Sequence, residues 1–165
     1  MNEDIVRDTM TKMCEYEGMT TSDISHFALV WNYACVIADR ENLSEYSKYI
    51  ISVSAAVHDI SCPSLREEYG EADGKMQEEA SRKLLENFFL VIPVASEDLE
   101  KIIDIVSHHH SPLYDGGIEH RVLIEADYIA NKSGCEITEE EIGEALESVF
   151  RTKAGAKLFL DLITD

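Results

Sequence analysis

A few of the ionisable residues in this 165-residue chain stand where a helix would otherwise present an apolar side chain to the core. His26 is one of them, because Val30, Tyr33 and Ile37 follow it at offsets of four, seven and eleven residues. Residues at these offsets share one face of an α-helix, so we expect the imidazole to be partly buried. Such a histidine could ligate a metal, or it could be hydrogen-bonded within the core or at its edge.

Asp127 interrupts the apolar pattern more sharply. Leu123 and Ile124 precede it and Ala130 follows, which places a carboxylate on a helix face that should meet the core. A buried carboxylate is costly unless a cation or strong hydrogen-bond donors compensate it. We therefore expect Asp127 either to face a cation or to accept hydrogen bonds from a helix terminus.

His58 and Asp59 follow the apolar segment 54–57, at the point where a predicted helix gives way to a loop. Together with His26 and Asp127 they supply two imidazoles and two carboxylates from three separate helices. These groups could converge on one divalent cation and leave coordination positions open for water and substrate. Such a cation lowers the pKa of its bound water towards neutrality, so the chemistry indicated is metal-assisted hydrolysis.

Three segments, 23–30, 55–60 and 125–130, resemble the motifs of the HD-domain phosphohydrolase superfamily. The resemblance covers roughly residues 23–132 and implies an all-α helical bundle that binds metal. It carries the metal-ligand role to four residues, namely His26, His58, Asp59 and Asp127. One departure is Ser61, which stands where a glycine often follows the His-Asp-Ile triplet, and it affects the loop more than the ligands.

A second cluster, His108-His109-His110, follows an apolar segment and could belong to a second metal site. Family members with two metals commonly place histidines after such a helix. Consecutive residues of an α-helix project about 100° apart, so three imidazoles cannot face one ion. We expect His108 and His109 to be second-metal ligands or phosphate donors, with His110 spare. The alternative is a solvated helix end, where imidazoles complement the helix dipole.

The resemblance also suggests residues for catalysis and substrate binding. Glu78 and Glu79 lie where some two-metal relatives place another histidine, and either could complete a second site or act as general base beside Asp59 and His58. The alternative for both is a solvated surface charge. Lys132, five residues beyond Asp127, and His109 are the expected contacts to a substrate phosphate. Arg66 is a weaker candidate for the same role.

Helical spacing of apolar residues dominates the whole chain, which predicts an all-α protein. We expect a single domain over residues 1–165, with a motif core at about 22–132 and C-terminal helices at 138–163. Predicted loops contain Cys62-Pro63-Ser64 and residues 111–117. The predicted helices cover residues 4–16, 22–38, 44–58, 75–89, 96–110, 119–131, 138–150 and 154–162. Ser22 or Asp23 should cap the second helix, and Thr138 with Glu141 fits a capping box.

The charge balance limits the partners. Fourteen basic and 33 acidic residues give a net charge of −19, which disfavours binding to long nucleic acids and to anionic membranes. The four cysteines form no C-x-x-C pair, and neither a signal peptide nor a membrane span is evident, so we expect reduced thiols and a cytoplasmic location. A homodimer is left open.

Taken with the resemblance, these residues indicate a metal-dependent phosphohydrolase that acts on a nucleotide or another small phosphorylated metabolite. We expect one or two divalent ions, without a choice among Zn, Mn, Fe, Ni and Mg. The alternative is a catalytically weak or inactive HD module that binds metal and either senses a nucleotide or regulates a partner.

Overall fold

The computed structural model describes residues 2–163, and every regular element among them is helical. The predicted all-α class is therefore confirmed for this part of the chain. In addition to a short 3-10 segment at Phe89–Val91, nine α-helices lie within residues 2–163: α1 (Asn2–Cys14), α2 (Thr21–Arg40), α3 (Glu45–Val57), α4 (Cys62–Tyr69), α5 (Gly74–Phe88), α6 (Ser96–Val106), α7 (Gly117–Lys132), α8 (Glu139–Ser148) and α9 (Lys153–Ile163).

Helix α3 runs through the middle of the core. Every residue from Tyr49 to Val57 is buried, and the helix packs against α1, α2, α6 and α7. A helical segment with small or apolar side chains on nearly all sides, as α3 has after its polar first turn, is expected to be enclosed in this way. The Ser44 hydroxyl caps its start by accepting a hydrogen bond from the Ser47 N–H at 3.0 Å. Because α3 ends at Val57, the chain delivers His58 and Asp59 into the interior.

Helices α2 and α7 pack against each other and against α3. A capping box starts α2: the Asp23 N–H donates to the Thr20 hydroxyl at 3.2 Å, and the Thr20 N–H donates to the Asp23 carboxylate at 2.8 Å. The helix therefore begins slightly earlier than predicted, with Thr20 as its cap instead of Ser22 or Asp23. The capping box predicted for Thr138 and Glu141 is confirmed at the start of α8.

The predicted loop at residues 62–64 is wrong, because these residues form the first turn of α4. Pro63 is compatible with that position, where the missing N–H would have no helical partner. Gly70 ends the helix with a positive φ of 79°, and its N–H donates to the Arg66 carbonyl at 3.0 Å. The chain after the His-Asp pair thus turns directly into a helix.

Helix α6 ends at Val106, four residues before the predicted end. Residues 107–110 form turns, in which the N–H groups of His108 and His109 donate to the carbonyls of Ile105 and Val106 at 3.3 and 3.4 Å. These bonds span three residues instead of the four of an α-helix. The directions expected for the three histidines on a regular helix therefore do not apply.

One hydrophobic cluster extends from α1 to α9, so the C-terminal helices share the core of the motif-bearing helices. Over residues 2–163, no helix combines the length and apolarity needed to cross a bilayer. All four cysteines, at positions 14, 35, 62 and 135, are unpaired.

Candidate metal centre

Four predicted ligands come together where α2, α7 and the end of α3 meet. His26 Nε2 lies 3.1 Å from Asp127 Oδ1 and 3.3 Å from His58 Nε2. Asp59 Oδ2 lies 3.5 Å from His26 Nε2 and 3.4 Å from His58 Nε2. Ligands bonded to one ion at about 2.0–2.2 Å stand roughly 3 Å apart, and the ligand atoms of His26, His58 and Asp59 all lie within 4.8 Å of one another, so these three residues fit a single cation. Asp127 contacts two of them, at 3.1 Å from His26 and 3.6 Å from His58. We call these four residues the first donor group.

Asp59 also faces a second donor group, formed with His109 and His110. Asp59 Oδ1 lies 3.6 Å from His109 Nε2, whereas Oδ2 faces the first group. One ligand atom from each of Asp59, His109 and His110 lies within 4.8 Å of the others. The Asp59 carboxylate therefore stands between two sets of nitrogen donors, as a carboxylate that bridges two cations would.

The orientation of two buried imidazoles fits ligation. The Nδ1 atoms of His58 and His109 lie 2.9 and 2.7 Å from the carbonyls of Ala55 and Val106. When Nδ1 donates to the carbonyl, each ring directs Nε2 towards the site. Metal-bound histidines are commonly oriented by such a hydrogen bond from the second ring nitrogen to a carboxylate or a backbone carbonyl. His109 Nε2 is buried and has no hydrogen-bond partner. A cation would satisfy this atom.

The imidazoles and carboxylates of the site change one another's pKa values. Burial opposes a charge on His58, but the carboxylates of Asp59 and Asp127 outweigh it and raise the pKa of His58 well above its usual range. Burial acts against ionisation of Asp59 as well, but His58 and His109 hold its pKa well below the usual range. Hydrogen bonding to His26 and His58 likewise outweighs burial and lowers the pKa of Asp127. Positive charge beside the two carboxylates thus stabilises their ionised forms, and a divalent cation could supply such charge.

The first donor group is accessible from solvent on one side. The side chains of His26 and Asp59 are 23% and 24% exposed, whereas those of His58 and His109 are fully buried. A small molecule could therefore approach past His26 and Asp59 but could not touch His109 directly.

Asn131 is a site residue that sequence reasoning missed. Its Nδ2 donates to Asp127 Oδ1 at 2.9 Å from one helical turn further along α7. The four-residue offset was the only available signal. The helix-terminus role considered for Asp127 belongs instead to Glu125, whose buried carboxylate accepts hydrogen bonds from the N–H groups of Arg151 and Thr152 at 2.6 and 2.8 Å, just before α9.

The structure does not bring His108 to either donor group. Its ring stacks on Tyr114 with centroids 3.8 Å apart, and its Nδ1 lies 2.7 Å from the Asp104 carbonyl. The reason is the early end of α6, because the following turns direct His109 and His110 towards Asp59. His110, expected to be the spare, takes the place predicted for His108.

Glu78 and Glu79 point in different directions. Glu78 Oε1 accepts hydrogen bonds from the His110 N–H at 3.1 Å and from the Ser111 hydroxyl at 3.0 Å, so Glu78 fastens the turn that carries the second donor group. Glu79 is exposed, and its carboxylate lies 3.9 Å from Lys75 Nζ. The position of Glu79 matches the solvated surface charge that was its alternative interpretation.

Lys132 also lies apart from the donors. Its Nζ is 3.8 Å from Glu141 Oε1 and 5.9 Å from the centre of the Tyr128 ring. An offset of five residues from Asp127 turns the side chain by about 140° around α7, away from the face that carries Asp127. The expected contact between Lys132 and a substrate at this site therefore has no support in the position of the residue.

Two solved structures share this fold. A predicted HD superfamily hydrolase from an uncultured Thermotogales bacterium matches with a TM-score of 0.70 and 19% identity, covering 96% of this chain and 84% of that one. Bacillus subtilis YpgQ, solved in complex with ADP, matches with a TM-score of 0.65 and 18% identity, covering 99% and 89%. No family model and no curated protein matches the sequence. At these identities the likeness shows the fold, which is of the HD-domain type.

Proposed function

We propose that this protein with an HD-domain fold is a metal-dependent phosphohydrolase that acts on a nucleotide or another small phosphorylated metabolite. The observation that carries the proposal is the position of Asp59. One of its oxygens lies 3.5 Å from His26 and the other lies 3.6 Å from His109, so a single carboxylate connects two sets of donors. Sites that hold two cations about 3.5–4 Å apart are suited to in-line displacement at phosphorus.

The protein groups have distinct roles in this proposal. A bound divalent cation would supply Lewis acidity towards a phosphoryl oxygen and lower the pKa of a water ligand. His26, His58 and Asp127 would hold the first cation, and His109 and His110 would hold the second. Asp59 has one oxygen facing each group, and its partly exposed carboxylate could accept a hydrogen bond from the attacking water. Mixed imidazole and carboxylate donors suit zinc, manganese, iron or nickel better than magnesium alone.

Glu78 and His109 are assigned supporting roles. Both carboxylate oxygens of Glu78 contact the Ser111 hydroxyl, at 3.0 and 3.2 Å, which leaves this residue poorly placed as a general base. His109 is fully buried and is therefore assigned to metal instead of substrate. Of the four residues predicted to be catalytic, Asp59 and His58 keep a catalytic role in this proposal, whereas Glu78 and Glu79 do not.

Arg66 is the proposed contact to the substrate phosphate in place of Lys132. Two hydrogen bonds from its guanidinium to Asp23, at 3.0 and 2.6 Å, hold it in position, and its side chain is 36% exposed. The hydrogen bond to Asp23 raises the pKa of the Arg66 guanidinium, and the negative charge of Asp59 adds to this effect. A guanidinium fixed in this way retains N–H groups that can bind a phosphate oxygen.

The proposed substrate is small. Two observations support this: Bacillus subtilis YpgQ, which shares the fold, was solved in complex with ADP, and the net charge of −19 disfavours a long polyanion. A nucleoside diphosphate or triphosphate carries its charge at one end, where cations and Arg66 can neutralise it. We therefore place the phosphates at Asp59 and the remainder of the substrate towards solvent.

The test is turnover of a panel of nucleotides and sugar phosphates by metal-free protein to which single divalent metals are added. We expect activity that depends on the metal and is abolished in His58→Ala and Asp59→Ala, with helical content by circular dichroism largely unchanged. Full activity of either variant would remove the proposal. Tight metal and nucleotide binding without turnover would favour the alternative, a nucleotide-sensing module.

A further inference from the structure

Gly74 is the first residue of α5, yet its backbone does not require glycine. Its φ angle is not positive, so other residues could adopt the same backbone conformation, and alanine would favour a helix more than glycine does. The close approach of His110 explains the glycine. A Cβ atom at position 74 would lie 2.7 Å from His110 Cγ and 2.8 Å from His110 Cδ2, closer than carbon atoms approach without contact strain.

Two contacts limit the movement of His110 away from α5, although its side chain is exposed. Its N–H donates to the Glu78 carboxylate at 3.1 Å, which ties the backbone of the turn to the same helix that contains Gly74. On another side, its ring contacts that of His109, with the two centroids 3.9 Å apart. An added methyl group at position 74 would therefore rotate the His110 ring or shift the turn, and either change would alter the second donor group.

We infer that Gly74 is a positioning residue for the second donor group: the absence of a side chain there lets the His110 imidazole lie against α5 and reach Asp59. This inference rests on the proposed function, in which that group holds the second cation. Gly74 itself contributes no ligand atom and acts through His110. The backbone conformation of Gly74 does not require glycine, so the contact with His110 is what explains the residue.

The experiment compares Gly74→Ala with Gly143→Ala, a matched change at a helical glycine that has no atom within 4 Å of the added Cβ. Metal-free proteins are titrated with Mn²⁺, with bound ions counted by calorimetry and spin coupling between two ions followed by electron paramagnetic resonance. We expect two ions in the wild type and in Gly143→Ala. In Gly74→Ala the second ion should bind about 10–100-fold more weakly, as for other changes to groups that orient ligands, and the coupled signal should fade.

The His110→Ala background tests whether Gly74 acts through His110. In that background, Gly74→Ala should cause no further loss of metal affinity, because the clashing ring is gone. An equal loss in both backgrounds would indicate a general effect on the fold and would overturn the inference. In metal-free protein, nitrogen-15 resonances of the His110 ring should shift in Gly74→Ala while those of His26 stay unchanged, a readout that needs no metal.

The outcomes separate the inference from the proposal on which it rests. A wild-type protein that binds no Mn²⁺, Zn²⁺ or Fe²⁺ would remove the proposed function. If the wild type binds two ions and Gly74→Ala binds both with unchanged affinity, the role of Gly74 is refuted while the proposed function stands. A wild type that binds one ion would refute the second site and the role of Gly74 together.

Discussion

Asp59 contributes an oxygen to each of two donor groups, and its chemistry depends on its neighbours. Its Oδ2 lies 3.4 Å from His58 Nε2 and its Oδ1 lies 3.6 Å from His109 Nε2. Both imidazoles have their Nδ1 atoms fixed by backbone carbonyls, so a cation could bind with little rearrangement of these two rings.

Asn131 should support metal binding without being a ligand. Its amide donates to Asp127 Oδ1 at 2.9 Å and so fixes the orientation of that carboxylate. We expect Asn131→Ala to weaken binding of the first cation about 10–100-fold, measured by calorimetric titration of metal-free protein. Helical content and the affinity for the second cation should stay close to those of the wild type. Unchanged affinity for the first cation would show that Asp127 needs no such support.

Arg66 and Lys132 provide a matched comparison of two cationic side chains. Arg66 is held by Asp23 at 2.6 Å, whereas Lys132 lies 3.8 Å from Glu141, apart from the donors. For a nucleotide substrate, Arg66→Met should lower kcat/KM by tenfold or more, equivalent to about 1.4 kcal/mol, with metal content unchanged. Lys132→Met should change kcat/KM less than threefold. The reverse order would restore Lys132 as the substrate contact.

At the scale of elements, Glu119 links three helices around the site. Its carboxylate accepts hydrogen bonds from Ser47 of α3 at 2.9 Å and from Lys101 of α6 at 2.8 Å, and its own side chain is only 8% exposed. Burial opposes its ionisation, but the contacts with Lys101 and Ser47 prevail and lower the pKa of Glu119. The ionised carboxylate thus stabilises the packing of α7 against α3 and α6.

This contact should make stability depend on pH. Because the folded-state pKa of Glu119 lies below the unfolded value of about 4.3, its stabilisation is fully present above that pH and is lost as the pH falls through the folded value. Glu119→Gln should lower the free energy of unfolding by about 1–3 kcal/mol at pH 7, measured by urea denaturation. The difference from the wild type should shrink below about pH 4.3.

Glu45→Gln is the control for this pH dependence. Glu45 is 90% exposed and pairs with Lys48 at 3.0 Å on the surface, so its replacement should change the free energy of unfolding by less than about 0.5 kcal/mol at either pH. A constant difference between Glu119→Gln and the wild type at all pH values would show that the ionised form of Glu119 is not what stabilises the helices.

Features that depend on the residue pattern of a single helix could be predicted from the sequence. Asp127 and His26 could be recognised because each interrupts the apolar face of its own helix, and the structure brings both to one place. His110 and Gly74 could not, because their roles depend on where α6 ends and on how closely the following turn approaches α5. The direction of Lys132 around α7, towards Glu141 and away from the donors, is also not evident from its distance to Asp127 along the chain.

Helix boundaries show the same limit. The capping box of Thr138 and Glu141 is a local hydrogen-bond pattern, and it was predicted correctly. Helix α4 was missed because proline, here Pro63, is also typical of loops. In addition, Arg66 of this helix pairs with Asp23, which is 43 residues earlier in the sequence, so the contact is not visible in the local pattern. A local hydrogen-bond pattern thus sufficed to place the start of α8, whereas the existence of α4 was not evident from the local sequence.

For the whole molecule, the net charge of −19 does not describe the local charge at the site. The total charge treats all carboxylates alike, but Asp59 and Asp127 are surrounded by imidazoles, so the local balance differs from that of the surface. Two bound cations would make the site still less negative. A small phosphorylated molecule can then reach cations that a long polyanion would approach only against the field of the whole protein.

The number of divalent ions that one chain binds, with and without Asp59, tests the proposed two-cation site. Metal-free wild type and Asp59→Ala, matched for helical content by circular dichroism, are dialysed against Mn²⁺ or Zn²⁺ and their metal content is measured by mass spectrometry. We expect two ions per wild-type chain and loss of tight binding of both in Asp59→Ala. A wild type without bound metal, or an Asp59→Ala variant that keeps both ions at unchanged affinity, would contradict the proposed site.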